Sequence, residues 1–440
     1  MKSVSCLLAV FVLLFSLPGL AQERSAEASS ASQNAQVLTL LQAEAIALKN
    51  NPQITIGKLR ALVAEQGTRE VRSALLPDVS LNVTGVESQP GGRVTAGGLN
   101  NPVIFPRAAA GVTFSQLITD FGRTTSLVSS SQYQAKAEQE NALATRAQIL
   151  LAVDHAFYGA LETQALVRVA EKTVQARQVL VDKVSALTNA KLKSDLDLSF
   201  ANVDLSRAKL LLLEARNNYE TSVAELSTVL GYSDLQKFDL VDQPGELKPP
   251  VPEVVPLIQQ ALQQRPEVSA LQFEEQAAEK FSHAEHDLWR PTVSALGVVG
   301  EAPVRDDHIP NWYGAAGINI HIPVFNGFLN SARAQASDFQ AQASRQKLVE
   351  LRNSVARNVR IAWQDSKRAY ERLSVTQQLR KQADLALELA QSRYNLGLSS
   401  IVEFSQAELQ KTEADIADTD AIYQFRQSQR VLEYESGTLK

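Results

Sequence analysis

The sequence is almost free of cysteine, which limits the chemistry and the covalent support available to the protein. Its single cysteine is Cys6. The rest of the chain offers no thiol for a disulfide, a nucleophile or a metal ligand. Cys6 also lies well before the region where a leader peptide would be cleaved, so it is a poor candidate for lipid attachment. We therefore expect packing alone to hold the fold together.

Long hydrophobic runs are missing after the N-terminus. A basic start, the apolar run Leu7 to Leu17, and small residues at Gly19 and Ala21 are typical of a secretory signal peptide. That run is too short to span a bilayer as a helix, and no later segment approaches the ~18 consecutive apolar residues that a spanning helix needs. We expect a signal peptide over residues 1–21, a flexible leader over residues 22–36, and any membrane insertion to use β-strands.

Excess positive charge and catalytic motifs are absent as well. Without Lys2, 42 basic residues stand against 48 acidic ones, a net charge of −6, so no nucleic-acid partner is expected. The sequence contains no phosphate-binding glycine loop of the Walker type, no Gly-x-Ser-x-Gly elbow and no His-Glu-x-x-His motif. We therefore expect no enzymatic activity, no catalytic residue and no cofactor.

What the sequence does contain is a twofold internal repeat. Asn51-Pro52-Gln53 aligns with Arg265-Pro266-Glu267 at an offset of 214 residues, and Gly231 aligns with Gly437 at an offset of 206. Each copy is far longer than the repeats of solenoid proteins. We divide the chain into repeat 1 at residues 37–231, a linker or equatorial segment at 232–252, and repeat 2 at 253–440. The order in each repeat is helix, two strands, a very long helix and a returning helix.

The long helix of repeat 1 is predicted from the lack of helix breakers. After Gly122 the chain has no proline until well past Leu187, which gives a helix of roughly 65 residues and roughly 95 Å. A first helix from Thr39 to Leu75 and a returning helix ending at Leu230 together have about that length, so we expect them to stack end to end alongside it. Long helices rich in alanine are also typical of coiled-coil fibres, and the helices alone leave that alternative open.

Short alternating segments between the helices predict strands. Val79, Leu81 and Val83 alternate with polar residues, and the segment 318–322 does the same with isoleucines. The segments 108–117 and 292–299 have about the ~9 to 11 residues of a tilted membrane strand. Loops are expected at Pro90 to Pro102 and at Glu301 to Asn311, and interfacial aromatics at Trp289, Trp312 and Tyr313.

Four strands per chain are too few for a membrane barrel. Outer-membrane barrels have at least eight strands, and an open sheet edge is not tolerated in lipid. Any barrel must therefore be shared by several copies of the chain. Two, three or four copies would give eight, twelve or sixteen strands.

Taken in order, these features resemble the TolC family of outer-membrane factors over residues 37–440. The most specific matches are the helix-ending prolines in Ser73-Ala74-Leu75-Leu76-Pro77 and Trp289-Arg290-Pro291, the segment Ile322 to Gly327, and Arg393-Tyr394-Asn395-Leu396-Gly397 followed by Gln406-Ala407-Glu408. The resemblance implies a mixed α/β membrane protein of the cell outer membrane. It would be a homotrimer with a twelve-stranded β-barrel, four strands per chain, continued by a long periplasmic α-helical barrel.

The resemblance also implies a function and partners. The protein would be a passive channel-tunnel that exports small molecules or proteins in a tripartite efflux or type I secretion system and is gated at its periplasmic tip. Its partners would be a periplasmic adaptor (membrane fusion protein) and an inner-membrane pump of RND or ABC type. The alternative is a periplasmic helical adaptor or structural protein of a transport assembly, although an adaptor would show one helical hairpin flanked by compact β-domains.

The two turns between long and returning helices are the candidate tip. Candidate adaptor-docking residues there are Asn189, Lys191, Leu192, Asn395, Gly397 and Leu398. Candidate aperture residues are Asp195, Asp197, Glu403 and Gln406. By the resemblance, acidic residues of the second repeat ring the periplasmic entrance, and Glu403 occupies such a position. The same acids are also explained as helix caps, because Ser194 with Asp197, and Ser400 with Glu403, have the spacing of capping boxes.

One histidine pair has the spacing of metal ligands. His283 and His286 lie one helical turn apart. At the repeat offset they align with Arg69 and Arg72, so we interpret the four positions as a solvated polar face near the membrane boundary. No bound metal is expected.

Overall fold

A computed structural model describes residues 36–87, 107–242, 247–304 and 310–439. The expected signal peptide, most of the expected leader and the expected loop at Pro90 to Pro102 lie outside these ranges. The elements, in chain order, are β1 (Gln36–Leu38), α1 (Leu40–Asn50), α2 (Pro52–Ser73), β2 (Asp78–Val86), β3 (Arg107–Thr119), α3 (Arg123–Asn189), α4 (Asp195–Val229), β4 (Phe238–Leu240), α5 (Val255–Gln264), α6 (Pro266–His286), β5 (Thr292–Val304), β6 (Trp312–His321), α7 (Leu329–Asn395) and α8 (Ile401–Glu435).

Two very long helices dominate the molecule. α3 and α7 have 67 residues each, which corresponds to roughly 100 Å, and α4 and α8 have 35 residues each. The predicted helix from Gly122 to about Leu187 is confirmed, and it ends only two residues later than expected. Gly122 has a positive φ of 109°, a left-handed conformation that turns the chain from β3 into α3.

The expected first helix is instead two helices, α1 and α2. They meet at Asn51, whose backbone is extended because the ring of Pro52 disfavours the helical conformation in the residue before it. The Asn51 side chain accepts a hydrogen bond from the Gln53 amide at 2.9 Å and donates one to the Val229 carbonyl at 2.9 Å. The prediction of one helix from Thr39 to Leu75 was therefore wrong at this residue. Thr39 and Gln42 form a capping box at the start of α1.

The segment between the two halves also carries a strand. β4 pairs in parallel with β1, with Leu38 opposite Leu240, and both of these side chains are buried. Gln36, the last residue of the expected leader, therefore begins a strand. The pair lies in the main apolar core together with Val153, Phe157 and Leu226.

The other four strands form one antiparallel sheet in the order β2-β3-β5-β6. Contrary to the expected loop at Glu301 to Asn311, β5 continues to Val304. Cross-strand register separates two faces, because opposite residues point to the same side. One face is mainly polar and the other mainly apolar. Polar-face residues include Ser80, Asn82, Thr84, Thr113, Ser115, Ser294 and Asn319; apolar-face residues include Val79, Leu81, Val83, Val112, Phe114, Val299, Ile318 and Ile320.

The helices pack side by side around α3. Near the sheet α2 lies along α3, where the Thr68 hydroxyl donates to the Ser131 carbonyl at 3.1 Å. Farther away α4 lies along α3, where the hydroxyls of Thr163 and Ser222 are 2.7 Å apart. α3 also contacts α6 and α8, and α7 packs on the same two helices. The lateral edges of this wall are therefore α2 and α4 on one side and α7 on the other.

Candidate functional site

The α3–α4 turn and the α7–α8 turn meet at the end of the helical wall farthest from the sheet. The Lys183 ammonium group donates to the side-chain oxygen of Asn395 at 2.6 Å. The Lys193 ammonium group lies 4.2 Å from the centre of the Tyr394 ring. Both contacts join the first hairpin to the second. The two turns that the sequence singled out therefore form one surface, which we call the tip.

An apolar cluster fixes the tip. The rings of Tyr394 and Phe404 are stacked with centroids 5.4 Å apart, and both side chains are buried. They pack with Leu180, Val184 and Ala201 of the first hairpin. Burial raises the pKa of the Tyr394 phenol, and the negative charge of Asp197 adds to the rise. The tip is thus a packed junction of four helices.

The four candidate aperture residues all lie at this end but in different environments. Asp195 and Gln406 are exposed. Asp197 completes the predicted capping box with Ser194, with both reciprocal hydrogen bonds present. Glu403 does not complete one. Its amide donates to the Ser400 hydroxyl at 3.3 Å, but its carboxylate lies 3.0 Å from the Arg393 guanidinium.

The ion pair between Arg393 and Glu403 changes the charge expected at the tip. Arg393, Lys191 and Lys193 all lie in or next to the two turns that hold the acids. The tip surface is therefore mixed in charge, with one of the candidate aperture carboxylates already paired. Sequence spacing did not reveal the pair, because Arg393 and Glu403 lie on different helices and meet only through the fold of the turn.

The six candidate docking residues form the outer surface of the tip. Asn189, Lys191, Leu192, Asn395, Gly397 and Leu398 are all exposed, with Leu192 at 71% and Leu398 at 67%. Gly397 and Lys191 have positive φ angles of 73° and 60° and turn the chain at equivalent places in the two hairpins. Such large exposed leucines on a turn are typical of a surface that another protein covers.

Above the tip, ion pairs with at least one buried or half-buried partner interrupt the apolar packing of the hairpins. Arg177 of α3 pairs with Glu408 of α8, and both side chains are buried. Burial lowers the pKa of Arg177. Farther along α8, the Lys411 ammonium group lies 2.7 Å from Asp384, and Arg380 lies 2.9 Å from Asp418.

Sequence reasoning missed these pairs, although a signal for two of them was present. Phe404, Lys411, Asp418 and Phe425 are spaced by seven residues. A spacing of seven places residues on one stripe of a coiled coil, so Lys411 and Asp418 replace apolar side chains on a buried seam. Charged residues at such positions require partners on the neighbouring helix.

At the other end of the wall, the candidate interfacial aromatic residues do not all lie on the same face of the sheet. Trp312 opens β6 on the apolar face and is 70% exposed, and Trp289 ends a short 3₁₀ helix before β5. Tyr313 points to the polar face, because it lies opposite Gly300 in the register. Phe121, Phe325 and Phe328 are also exposed where the sheet meets the long helices, and sequence analysis did not select them.

The histidine pair lies on the surface. His283 and His286 are both exposed, and the His286 imidazole lies 3.0 Å from Asp338. A hydrogen bond from Ser282 and one with His286 hold the pKa of Asp338 below its usual value. In the described ranges no group of three or more histidine, cysteine, aspartate or glutamate side chains is placed to hold a metal ion. No helix in those ranges contains a stretch long and apolar enough to cross a membrane.

Comparison with known proteins agrees with this architecture. The family described as outer membrane efflux protein matches residues 45–232 and 257–437. The chain is 24% identical to the outer membrane protein TolC of Vibrio cholerae serotype O1 over 409 residues, which is 89% of each chain. It is 25% identical to protein CyaE of Bordetella pertussis over 382 residues, covering 84% of this chain and 78% of the relative.

Solved structures share the fold. The outer membrane protein VceC of Vibrio cholerae superposes with a TM-score of 0.76 and 18% identity, covering 90% of this chain and 96% of VceC. The open state of the MtrE outer membrane channel of Neisseria gonorrhoeae superposes with a TM-score of 0.75 and 19% identity, covering 91% of this chain and 89% of MtrE. The chain belongs to the outer membrane efflux protein family, and it is a protein of the outer membrane whose helices extend into the periplasm.

Proposed function

We propose that three copies of the chain form a passive export conduit. The main support for this proposal is the β2-β3-β5-β6 sheet, which has one polar face and one apolar face. Within the described part of the chain, no further strand pairs with either of its two edges. Closing three such sheets edge to edge gives a twelve-stranded barrel with lipid outside and water inside. The two long helices and their partners continue that barrel as a periplasmic tunnel.

The lateral edges of the helical wall support assembly. On α4 one exposed apolar stripe is formed by Leu196, Phe200, Val203, Leu210 and Leu213. On α7 another is formed by Val375, Leu379, Leu385 and Leu389. These stripes lie on opposite sides of α3, so a head-to-tail contact of α4 with α7 of the next protomer covers both and closes into a ring.

The conduit itself performs no reaction and takes its energy from partners. In this proposal the tip docks on a periplasmic adaptor through Asn189, Lys191, Leu192, Asn395, Gly397 and Leu398, and an inner-membrane pump of RND or ABC type supplies the substrate. The system is a tripartite efflux or type I secretion assembly. Asp195, Asp197, Glu403 and Gln406 surround the aperture, which opens when the junction of the two hairpins separates.

Mass measurement and electrical recording test the proposal together. In mild detergent we expect a particle with three times the mass of the mature chain, and in planar bilayers we expect a step increase in conductance with each inserted particle. A folded, membrane-inserted monomer would contradict the architecture. A stable trimer that never conducts would contradict the conduit.

A further inference from the structure

A tyrosine ring lies across two glycines on the polar face of the sheet. The register places Asn82, Gly111, Gly300 and Tyr313 in one row across all four strands. A Cβ atom added at Gly111 would meet the Tyr313 ring carbon Cζ at 3.1 Å and the side-chain oxygen at a shorter distance. At Gly300 the same ring carbon would lie 2.5 Å away. The ring therefore occupies the space that side chains on β3 and β5 would otherwise fill.

The two glycines are needed for contact and not for backbone conformation. Neither has a positive φ, so the strand conformation itself does not demand glycine. A Cβ at Gly300 would, however, also lie 2.6 Å from the Ala110 carbonyl oxygen, whereas one at Gly111 would lie 3.1 Å from the Val299 carbonyl oxygen, so Gly111 is the position at which the contact with the ring is tested. Gly317 of the same sheet is open, since a Cβ there would meet no atom within 4 Å. Gly317 also lies on the polar face, opposite Leu296. The row of Gly111, Gly300 and Tyr313 is thus a local notch, which we call the glycine notch.

The position of the notch makes it relevant to passage through the barrel. Moving away from the helices along β2, the row at Asn82 comes after the rows at Asp78 and Ser80. Tyr313 is the one aromatic side chain that the register puts on the polar face among the described strand residues. In the proposed trimer, three Tyr313 rings lie at one level of the bore, toward its extracellular end.

We propose that the glycine notch holds Tyr313 flat against the barrel wall and so sets the free width of the bore at this level. The inference rests on the proposed function, in which the polar face lines the pore. A methyl group at Gly111 displaces the ring away from the sheet, which in the proposed trimer is toward the lumen. Each protomer contributes one ring, so the bore narrows from three sides.

Cys6 is the single cysteine and lies in the expected signal peptide, so an introduced cysteine would carry the one thiol of the mature chain and allows a direct test. Ser80→Cys places a single thiol on the polar face, deeper in the barrel than Tyr313. Intact cells are treated with maleimides carrying polyethylene glycol chains of increasing size, and the rate of labelling is measured. With Gly111→Ala added, we expect labelling by the larger reagents to slow several-fold while the smallest reagent is unaffected. Adding Tyr313→Ala to that variant should restore the original rates.

Three further variants make the outcome decisive. Gly317→Ala is the matched control and should leave every rate unchanged. Tyr313→Trp leaves both glycines intact but does not fit the notch, so it should also slow the larger reagents, whereas Tyr313→Ala should not. If Gly111→Ala blocks assembly, recovery of the trimer by Tyr313→Ala supports the contact, and the Tyr313→Trp rates test the bore.

The failures of the two proposals are distinguishable. If Ser80→Cys reacts in detergent but with no reagent on cells, the polar face does not line an external pore, and the proposed function fails. If it reacts readily and the size dependence is identical in Gly111→Ala, Tyr313→Trp and the parent, the pore stands and the role of the notch is refuted.

Discussion

At the scale of single residues, the charge of the proposed aperture depends on ion pairing as much as on the number of acidic residues. Asp195, Asp197 and Glu403 would contribute nine carboxylates in a trimer, in a confined space where screening by salt is incomplete. Glu403, however, already faces Arg393 at 3.0 Å. The two residues therefore have opposite effects on the field at the entrance.

We expect Glu403→Gln and Arg393→Gln to change ion selectivity in opposite directions. Glu403→Gln keeps the shape and the amide hydrogen bond to Ser400 but leaves Arg393 unpaired, so cation preference and block by trivalent cations should weaken. Arg393→Gln leaves the carboxylate unpaired, so both should strengthen. Planar-bilayer recording gives the permeability ratio. If neither variant moves it, Glu403 serves only to begin α8.

A second residue-scale feature is the buried carboxylate of Asp154. It is 1% exposed, lies 2.8 Å from Arg430 and faces Glu44 of α1 across the same guanidinium, which also binds Glu433. Burial raises the pKa of Asp154 to about 8, against the attraction of Arg430, and the Glu44 charge adds to the rise. We therefore expect the stability of the core where α1, α3 and α8 meet to depend on pH.

Proton binding to Asp154 decides whether stability rises or falls with pH. Between the usual value of 3.8 and about 8, the native chain keeps a proton on Asp154 that the unfolded chain has lost. Stability should therefore fall as pH rises through this window, by at most ~1.4 kcal/mol per pH unit, and level off above it. The thermal midpoint Tm, measured in mild detergent from pH 5 to 9, reports this slope.

Asp154→Asn is the matched control for that slope. It keeps the shape of the side chain and cannot ionise, so its Tm should depend less on pH than that of the parent. Part of the slope should remain, because burial followed by the charge of Asp420 raises the pKa of Glu162 to about 7. Parallel profiles for the parent and Asp154→Asn would show that Asp154 is charged in the native state.

At the scale of elements, buried ion pairs fix how the helices align. Arg177 and Glu408 join α3 to α8 inside an apolar seam. Apolar side chains would pack in many registers, whereas a buried charge is stable only opposite its partner. These pairs therefore specify alignment between the two hairpins.

Removing one partner should cost more than removing both. Arg177→Met leaves Glu408 buried and unpaired, and we expect it to destabilise the protein by about 3–5 kcal/mol. In Arg177→Met with Glu408→Leu neither member of the pair is left buried without its partner, so most of that loss should be recovered. Denaturant or thermal unfolding of the solubilised oligomer measures the difference. A double variant no more stable than Arg177→Met would contradict the argument.

The turns are the elements expected to meet the adaptor. Leu398→Arg puts a bulky charge on the exposed tip and should abolish export while the trimer stays intact, because the side chain has few contacts within the chain. Gly397→Ala is the control for backbone strain, since Gly397 has a φ of 73°. Export of a pump substrate from cells and the oligomer on gels are the measurements. If the variants reduce the amount of trimer but the remaining trimer exports the pump substrate normally, the turns have only a structural role.

At the scale of the whole molecule, the proposal predicts an assembly that spans the periplasm. The helical wall ends in the tip, which by the length of α3 lies roughly 100 Å from the sheet. Cross-linking in the native membrane, followed by purification and mass spectrometry, should join tip lysines such as Lys191 to a periplasmic adaptor and recover an inner-membrane pump. Cross-links from Lys191 to other copies of this chain alone would contradict docking at the tip.

Local features of the sequence determined most of the elements, although the break at Asn51 and the paired strands β1 and β4 were not predicted. The stretch without proline after Gly122 predicted the long helix, and the alternation at Val79 to Val83 predicted a strand. The spacing of Ser194 and Asp197 predicted a capping box, and all three are present in the structure. Each of these depends on interactions within a few residues, so a single sequence contains the necessary information. The lack of cysteine after Cys6 excluded disulfides and thiolate chemistry for the same reason, because that conclusion needs no knowledge of the fold.

Only the tertiary structure decided which side chains meet. The pairing of Glu403 with Arg393, of Arg177 with Glu408, and of Tyr313 with Gly111 joins different helices or strands. Their contacts depend on the register between neighbouring elements, which packing and pleat fix across long stretches of chain. Composition and spacing therefore identified the tip and the sheet, while the charge balance of the tip and the face occupied by Tyr313 came from the fold.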